Sequence, residues 1–498
     1  MNLLLILPIL LPMVMAMISV LTGLDRARSG MLAVFGALLH LCASGFLLAT
    51  VVDHQVLVLW MGNWPAPAGI CLVADYLSAA MVLITSVIYL AVMVYSGKEI
   101  TPHQRRSGYY PLMQFLTAAI CGAFLTGDLF NLYVWFELIL MASFGIMIME
   151  NPGSRLTSAV KYVTMNLLST VFLIMAIGLI YGLTGTLNMA DLHEKVAQVD
   201  NTALVTGAAL LLMMAFAIKS ALFPLFFWLP ATYHTLPVPV AAFFAGMLTK
   251  VGVYALIRLF TLVFVTDVAV THTLLMVMAV LTMVSGVAAA ASQMDIRRIL
   301  SFHIISQVGY MVLGLAVFTP LALAGTLVYL IHHIIVKANL FLVSGLIQRA
   351  TGSFDLKQTG GLYQTHGLLS LGFFIPAFSL AGFPPLSGFW AKLLIIYACL
   401  EAGHYFLGAT AAVVGLMTVF SMIKIWTEAF WKKKALPVDS PVEPLVDIPF
   451  QLMGPVLCLC LLTVLIGVFM EPVLKFALVA GEQLMSPHQY VLAVKGGG

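Results

Sequence analysis

Two lysines stand inside apolar stretches of this chain, far from any polar segment. Lys219 lies in the apolar run 204–230, 15 residues from one end and 11 from the other, or roughly 22 and 16 Å at helical rise. Lys250 is placed in the same way in the following run. Because a charge at this depth in a membrane is costly to bury, the two lysines predict a functional site.

Prolines follow Lys219 closely and predict that its helix is broken. Pro224 stands five residues after Lys219, and three further prolines follow at 230, 237 and 239. Since a helix cannot continue through them intact, carbonyl groups are freed that a bilayer tolerates only inside protein or beside a hydrated cavity. The alternative interpretation is a proline kink beside a lysine that snorkels to the surface.

Glu137 is the acidic residue that stands well inside an apolar run. A buried carboxylate requires a cation, and we expect Lys219 to be its partner. The pair could be an inert link between two helices. It could also be a switch, because a carboxylate that approaches or retreats changes whether a buried lysine holds its proton.

Three more basic groups extend this series. His333 and Lys337 are spaced i and i+4, so they share one face of a helix with His332 beside them. Histidine titrates near neutrality and could relay protons, whereas Lys337 could hold charge. Lys392 follows Pro384 and Pro385 and is the predicted outer end of the series, although it lies close enough to a helix end to snorkel.

The sequence therefore predicts a proton path through Glu137, Lys219, Lys250, His333, Lys337 and Lys392. The polar residues that could hold waters between these groups are His332, Ser220, Thr249, His234, Ser387, Ser306 and Gln307. Ser306 and Gln307 fit interhelical hydrogen bonds equally well. We find no phosphate loop, metal-ligand cluster or nucleophile motif, so we expect no metal, no cofactor and no enzymatic step.

Composition supports a membrane location. The 498 residues are 62% hydrophobic and 9% charged, with a mean hydropathy of +1.07, which indicates an integral protein of the lipid bilayer. A net charge of +3 is too small to suggest nucleic-acid binding. The six cysteines include no CxxC pair, so they predict neither a disulfide framework nor a metal site.

We predict an all-α polytopic membrane protein with about fourteen transmembrane helices. The apolar runs fall near 2–22, 30–51, 74–96, 109–126, 129–149, 161–183, 203–229, 238–264, 270–292, 298–318, 321–347, 369–400, 405–430 and 452–478. Runs four to eight and nine to thirteen form two groups of five, each with a broken helix in fourth place. Because five is odd, the second group enters from the opposite face, which makes the pair an inverted repeat. The predicted units are residues 1–108, 109–264, 265–430, and 431–498, the last being a cytoplasmic loop and helix 14.

The basic residues are divided unequally between the two sides. One set of loops holds fifteen: Arg26, Arg28, Lys98, Arg105, Arg106, Arg155, Lys161, Arg297, Arg298, Arg349, Lys357, Lys424, Lys432, Lys433 and Lys434. The other set holds four: Lys195, Arg258, Lys475 and Lys495. The basic side is predicted to be cytoplasmic, which places both termini on the outer face.

The segments KSALFPLFFWLP, LTKVGVYALIR and HHIIVKANLFLVSG resemble the antiporter-like subunits of respiratory complex I and of the multisubunit Mrp sodium/proton antiporters. Within this superfamily, FWLPATYHTLPVP and GLIYGLTGTLNMADL look most like the D-type subunits of Mrp complexes. Complex I relatives usually carry a histidine where Phe227 stands, and one of its subunits carries a glutamate where Lys392 stands. The resemblance implies fourteen helices with inverted repeats and assigns functional roles to Glu137, Lys219, Lys250 and Lys392, while His333 and Lys337 match its HxxxK pattern.

The resemblance further implies a subunit of a bacterial cell-membrane complex that works with other antiporter subunits on H⁺ and Na⁺. No cluster of acidic and carbonyl ligands predicts a sodium site, so this subunit could handle protons alone. The alternative function is a membrane-arm subunit of a redox-driven complex, such as complex I or a membrane-bound hydrogenase. A scaffold whose buried charges serve only assembly is the third possibility.

Overall fold

The computed structural model describes residues 2–23, 28–149, 153–433 and 447–496. Of the basic residues used to predict the topology, Arg26 and Lys434 lie outside the described residues, and so does most of the segment between Lys432 and Pro449. The side chains of Arg28 and Arg155 are not described either.

The described chain is almost entirely helical, because a helix satisfies its backbone polar groups internally where no water is present. In chain order the helices are α1 (Leu7–Leu21), α2 (Arg28–His54), α3 (Tyr76–Glu99), α4 (Pro102–Arg106), α5 (Tyr109–Leu125), α6 (Leu129–Met147), α7 (Gly153–Thr184), α8 (Met189–Val196), α9 (Thr202–Ser220), α10 (Trp228–Tyr233), α11 (Val238–Leu262), α12 (Val268–Ser292), α13 (Ile296–Val317), α14 (Pro320–Thr351), α15 (Leu362–Thr365), α16 (Gly367–Ala381), α17 (Ser387–Glu401), α18 (Tyr405–Trp426), α19 (Phe450–Val468), α20 (Met470–Met485) and α21 (His488–Lys495). Short 3₁₀ segments lie at Asn2–Leu5, Met61–Asn63 and Leu356–Gln358, and a π-helical turn at Thr427–Trp431 continues α18.

Within the described residues, eleven helices are long and apolar enough to cross a membrane, and three shorter apolar helices accompany them. Each of these overlaps one of the fourteen predicted runs. The last run differs from the prediction, because α19 ends at Val468 and a separate helix, α20, follows it. A small antiparallel hairpin of β1 (Leu57–Trp60) and β2 (Cys71–Ala74) was also not predicted.

The ends of the helices form two rims. The hairpin rim contains the β-hairpin, α8, α20 and α21, joined for example by the hydrogen bond from Trp60 Nε1 to the Val494 carbonyl at 3.3 Å. The basic rim contains Arg298 and Lys433, and its loops are joined by the Gly361 amide, which donates to the Lys432 carbonyl at 2.6 Å.

Both predicted breaks are present. The helix that carries Lys219 ends at Ser220, where Ala221 has a φ of 58°, and α10 resumes at Trp228. The second break lies between Ala381 and Ser387, where Gly382 has a φ of 97°. A residue in the left-handed region ends a helix because it turns the chain away from the helical path.

The same loop motif occurs at both rims and supports the predicted inverted repeat. At the hairpin rim Asp128 caps α6 and forms a β-bridge with Asn188. At the basic rim Asp295 caps α13 and forms a β-bridge with Asp355. The hydrogen bonds beside the bridges also correspond: the Leu129 amide donates to the Leu187 carbonyl, and the Ile296 amide to the Phe354 carbonyl.

Many of the basic residues that the topology prediction placed in loops lie near the ends of helices, and two of them, Arg258 and Lys424, make contacts with distant parts of the chain. Arg258 is buried in α11 and forms a bidentate ion pair with Asp75, the N-cap of α3. Lys424 lies in α18 and donates to the carbonyls of Ala291 and Gln293 at 2.8 and 2.6 Å, which completes the C-terminal end of α12. Hydropathy does not reveal these contacts, because the partners are distant in sequence.

Candidate functional site

The polar residues of the predicted path lie mainly on the helices at the centre of the bundle. Helices α11, α13 and α14 are buried over nearly their whole length, whereas α7, α12 and α18 lie at the periphery. Lys250 is in α11, and both His333 and Lys337 are in α14. A cation on these helices therefore has protein on all sides.

Lys219 stands in the last turn of α9, and its side chain is 5% exposed. Its ammonium lies 4.8 Å from the centre of the Phe136 ring, a cation–π contact. The C-terminal carbonyls of a helix carry partial negative charge, so the end of α9 also favours a cation at this position.

Glu137 is half-buried in α6 and accepts a hydrogen bond from Thr170 Oγ1 at 2.6 Å. Glu137 does not form the expected direct ion pair with Lys219. Among the described ion pairs, none joins these two side chains within 4.0 Å. Glu137 is nevertheless a carboxylate that acts electrostatically on Lys219. Glu137 therefore influences Lys219 without forming an ion pair with it. Phe136, the neighbour of Glu137 in the sequence, contacts the ammonium.

Ser220 lies where α9 packs against Gly252 of α11, and Thr249 is buried one turn earlier on α11. A Cβ at Gly252 would come within 2.5 Å of Ser220 Oγ, so only glycine allows this close approach. The hydroxyls of Ser220 and Thr249 have no hydrogen-bond partner in the described part of the chain. Lys250 Nζ donates to the Ala245 carbonyl of its own helix at 2.5 Å.

His333 and Lys337 share a face of α14, as predicted. Both side chains are fully buried, and within the described structure neither His333 ring nitrogen nor Lys337 Nζ has a hydrogen-bond partner. The neighbouring His332 reaches the second broken helix, because its Nδ1 lies 2.8 Å from Ser387 Oγ. The Ser387 hydroxyl in turn lies 3.2 Å from Ser379 Oγ, across the break.

Lys392 points into the protein. Its side chain is 6% exposed, and Nζ donates at 3.0 Å to the carbonyl of Ala381, the last residue of α16. The ammonium also lies 5.6 Å from the centre of the Tyr310 ring. Lys392 therefore does not snorkel to the hairpin rim, and it occupies the second break much as Lys219 occupies the first.

One predicted supporting residue lies apart from this group. His234 stands at the end of α10 on the basic rim, where its Nδ1 is 2.7 Å from the Pro230 carbonyl and its Nε2 is 3.5 Å from Arg298 Nη2. Its position connects it with the loops and not with the buried lysines.

Helix α13 carries polar residues that contact both α12 and α14. Tyr329 donates to Gln307 Oε1, and Ser306 Oγ donates to the Met283 carbonyl at 3.1 Å. Ser306 and Gln307 therefore both form interhelical hydrogen bonds. His303 was not considered, although His303, Gln307 and Tyr310 repeat at helical spacing and that repeat is visible in the sequence.

A row of basic side chains runs from one broken helix to the other and consists of Lys219, Lys250, His333, Lys337 and Lys392. Buried polar atoms without a protein partner are usually satisfied by internal water. Lysines and imidazoles linked by such waters can accept and release protons in succession. The arrangement is suited to proton transfer through the core.

Comparison with known proteins agrees with this geometry. The family described as NADH:quinone oxidoreductase/Mrp antiporter, transmembrane, matches residues 126–418. The chain is 43% identical over 494 residues to the D-type Na⁺/H⁺ antiporter subunit of Alkalihalophilus pseudofirmus, and the match covers 99% of each chain. A chain in the structure of the Mrp complex from Dietzia sp. DQ12-45-1b superposes with a TM-score of 0.92 at 33% identity, covering 100% of both.

A chain of respiratory complex I from Thermus thermophilus also superposes, with a TM-score of 0.81 at 24% identity over 97% of this chain and 100% of that one. This likeness shows a shared fold alone. The family match and the 43% identity over nearly the full length show the family as well as the fold. The chain, a multi-pass membrane protein, therefore belongs to the NADH:quinone oxidoreductase/Mrp antiporter family of transmembrane subunits.

Proposed function

We propose that this chain is the D-type subunit of a multisubunit Na⁺/H⁺ antiporter of the bacterial cell membrane and that it moves the protons. The observation that carries the proposal is that, in the described part of the chain, none of the buried lysines forms an ion pair with a carboxylate within 4.0 Å. Among the described ion pairs, none includes Lys219, Lys250, Lys337 or Lys392.

The same chain shows what a structural buried cation looks like. Arg258 holds Asp75 through two hydrogen bonds of 2.6 and 2.8 Å and contacts Tyr254 as well. A guanidinium fixed in this way keeps its charge permanently. Lys337, buried to the same degree, has no partner among the described residues. Unpaired buried lysines are unfavourable for stability, which favours a role in holding and releasing protons over a role in assembly.

The row suggests a sequence of roles. Glu137 and Lys219 form a switch at the first break, where movement of either side chain changes the attraction between the two charges. Lys250 lies between this switch and the His333–Lys337 face, and Lys392 ends the row at the second break. Ser220, Thr249, His332 and Ser387 hold the connecting waters.

The other subunits of the antiporter complex are the partners in this proposal, and Na⁺ moves through one of them. A redox-driven complex is the alternative, and the fold alone is compatible with it. The 43% identity to an antiporter subunit against 24% to the complex I chain favours the antiporter. Phe227 also favours the antiporter, because complex I relatives usually have a histidine at this position. The Phe227 side chain is 55% exposed.

We also propose the orientation of the chain in the membrane and its division into four segments. The basic rim faces the cytoplasm, and both termini lie on the outer face. Residues 109–264 and 265–430 are the two inverted repeats, preceded by the N-terminal helices 1–108 and followed by 431–498. The subunit transports ions and catalyses no covalent step.

The test is antiport by the complete complex in everted vesicles, measured as sodium-driven dissipation of a pH gradient. Glu137→Gln and Lys219→Ala should each abolish exchange, and Lys219→Arg should fail as well because arginine stays protonated. Lys161→Ala is the matched control, since Lys161 is an exposed lysine on α7. A Lys219→Ala complex that assembles normally and exchanges ions at the wild-type rate would contradict the proposal.

A further inference from the structure

His303 is a fully buried imidazole in α13, and neither of its ring nitrogens has a hydrogen-bond partner among the described residues. A neutral imidazole has one N–H donor and one acceptor nitrogen. Because buried polar groups are nearly always satisfied, by water where the protein provides no partner, His303 is expected to contact water inside the core.

The packing of α13 against α14 fixes the height of His303. The two helices run antiparallel, and the Tyr329 hydroxyl of α14 donates to Gln307 Oε1 of α13. His303 stands one turn before Gln307, and His333 stands one turn after Tyr329, so the two imidazoles lie at the same level. They are close enough to interact electrostatically.

Along α13, His303 lies between the basic rim and the second broken helix. It is seven residues from Ile296, where α13 begins, or about 10 Å at helical rise. Tyr310 is seven residues further along the same face and lies beneath the Lys392 ammonium. His303 therefore occupies the interval between the rim and Lys392.

Among the described residues, the charged groups that act on the His303 ring are lysines. Lys337 on α14, Lys392 on α17 and Lys424 on α18 act on its ring, and His332 and His333 stand on the adjoining part of α14. No carboxylate among the described residues forms with it the kind of inert pair that Asp75 forms with Arg258. The ring thus has neither a hydrogen bond nor an ion pair to fix it.

We propose that His303 is a proton-relay residue that links the basic rim to the His333–Lys337 face and to Lys392. The proposal rests on the proposed function and adds to it an entry from the basic rim into the second repeat. In each transfer one ring nitrogen takes the excess proton of a protonated water on the rim side, which is left neutral, and the other ring nitrogen releases its own proton to a water on the His333 side. The imidazole ends neutral, with its N–H moved to the other nitrogen.

The first experiment measures antiport by the complete complex with His303→Gln. Glutamine keeps a donor and an acceptor but cannot pass a proton through a ring, so turnover should fall on the order of a hundredfold. The sodium concentration for half-maximal rate should not change. His272→Gln is the matched control, because His272 is also buried with an unpartnered Nε2 but lies on α12 against Phe318, away from the row. It should retain the wild-type turnover.

A His303→Gln complex that turns over within about twofold of the wild type overturns the inference. If Lys219→Ala also exchanges normally, the proposed function fails; if only His303→Gln does, this inference fails alone. Hydroxyl-radical labelling of the wild-type complex by X-ray radiolysis provides a test that does not depend on folding of a variant. Oxidation of the His303 ring is expected, and an unlabelled ring overturns the relay because it has no water beside it.

Discussion

Removing one partner of the Asp75–Arg258 pair should destabilise the protein far more than removing both. Arg258 Nη1 and Nη2 donate to the two Asp75 oxygens at 2.6 and 2.8 Å, and the two side chains are 5% and 2% exposed. Asp75→Asn keeps the cap of α3, because asparagine also accepts from the Ser78 amide, but it removes the charge. Arg258→Met keeps most of the side-chain volume.

The expected magnitude follows from the burial. A charge left alone in this site costs about 3–5 kcal/mol, which is a large part of the roughly 5–15 kcal/mol that holds a typical protein folded. Each single substitution should therefore lower the amount of assembled complex several-fold. The double variant Asp75→Asn with Arg258→Met leaves no unpaired charge and should regain most of the loss, so the two effects are strongly non-additive.

The assay is the amount of assembled complex in membranes, together with its thermal inactivation midpoint and its antiport rate per assembled complex. The double variant should exchange ions at the wild-type rate, because the pair lies outside the row of buried lysines. Single variants that assemble like the wild type would refute the assignment of Arg258 as a structural cation. A double variant as unstable as the singles would refute the reasoning about unpaired charge.

Two further predictions concern the end of the row and the orientation of the chain. Lys392→Arg should lose antiport at every external pH, because arginine stays protonated and because the lysine stem already lies close to Gly382; full activity would move the outer entrance elsewhere, with Lys337 as the next candidate. The thiol of Asp53→Cys should react with an impermeant maleimide added outside, and that of Ser107→Cys should not. The opposite labelling would reverse the orientation and with it the proposed entry beside His303.

Much of the fold could be predicted because the strongest signals are local. Apolar runs locate the helices, and the prolines after Lys219 and before Lys392 locate the breaks. A lysine in the middle of an apolar run is conspicuous in one sequence, and so is the i, i+4 pair of His333 and Lys337. These signals depend only on neighbouring residues.

What could not be predicted depends on contacts between distant residues. Asp75 is 183 positions from Arg258, and no periodicity connects them. The direction of the Lys392 side chain follows from the carbonyl at the end of α16, which exists only once the break has formed. His303 was not among the predicted residues, and only the structure shows that neither of its ring nitrogens has a partner among the described residues.

The two broken helices explain how Lys219 and Lys392 are held in the core without an ion pair to a carboxylate. Lys392 donates to the last carbonyl of α16, and Lys219 stands in the last turn of α9, so each lies at the negative end of a half-helix. A hydrogen bond from a charged group to a neutral carbonyl contributes about 1.5–3 kcal/mol, less than the several kcal/mol that burial of an ammonium costs. A carboxylate would hold the proton firmly, as Asp75 holds Arg258. A carbonyl stabilises the ammonium only in part, and a nearby charge such as Glu137 or an arriving proton can then decide whether the lysine keeps its proton. The breaks, more than the lysines alone, therefore make the row capable of proton transport. A chain with continuous helices at these two places should assemble but should not exchange ions.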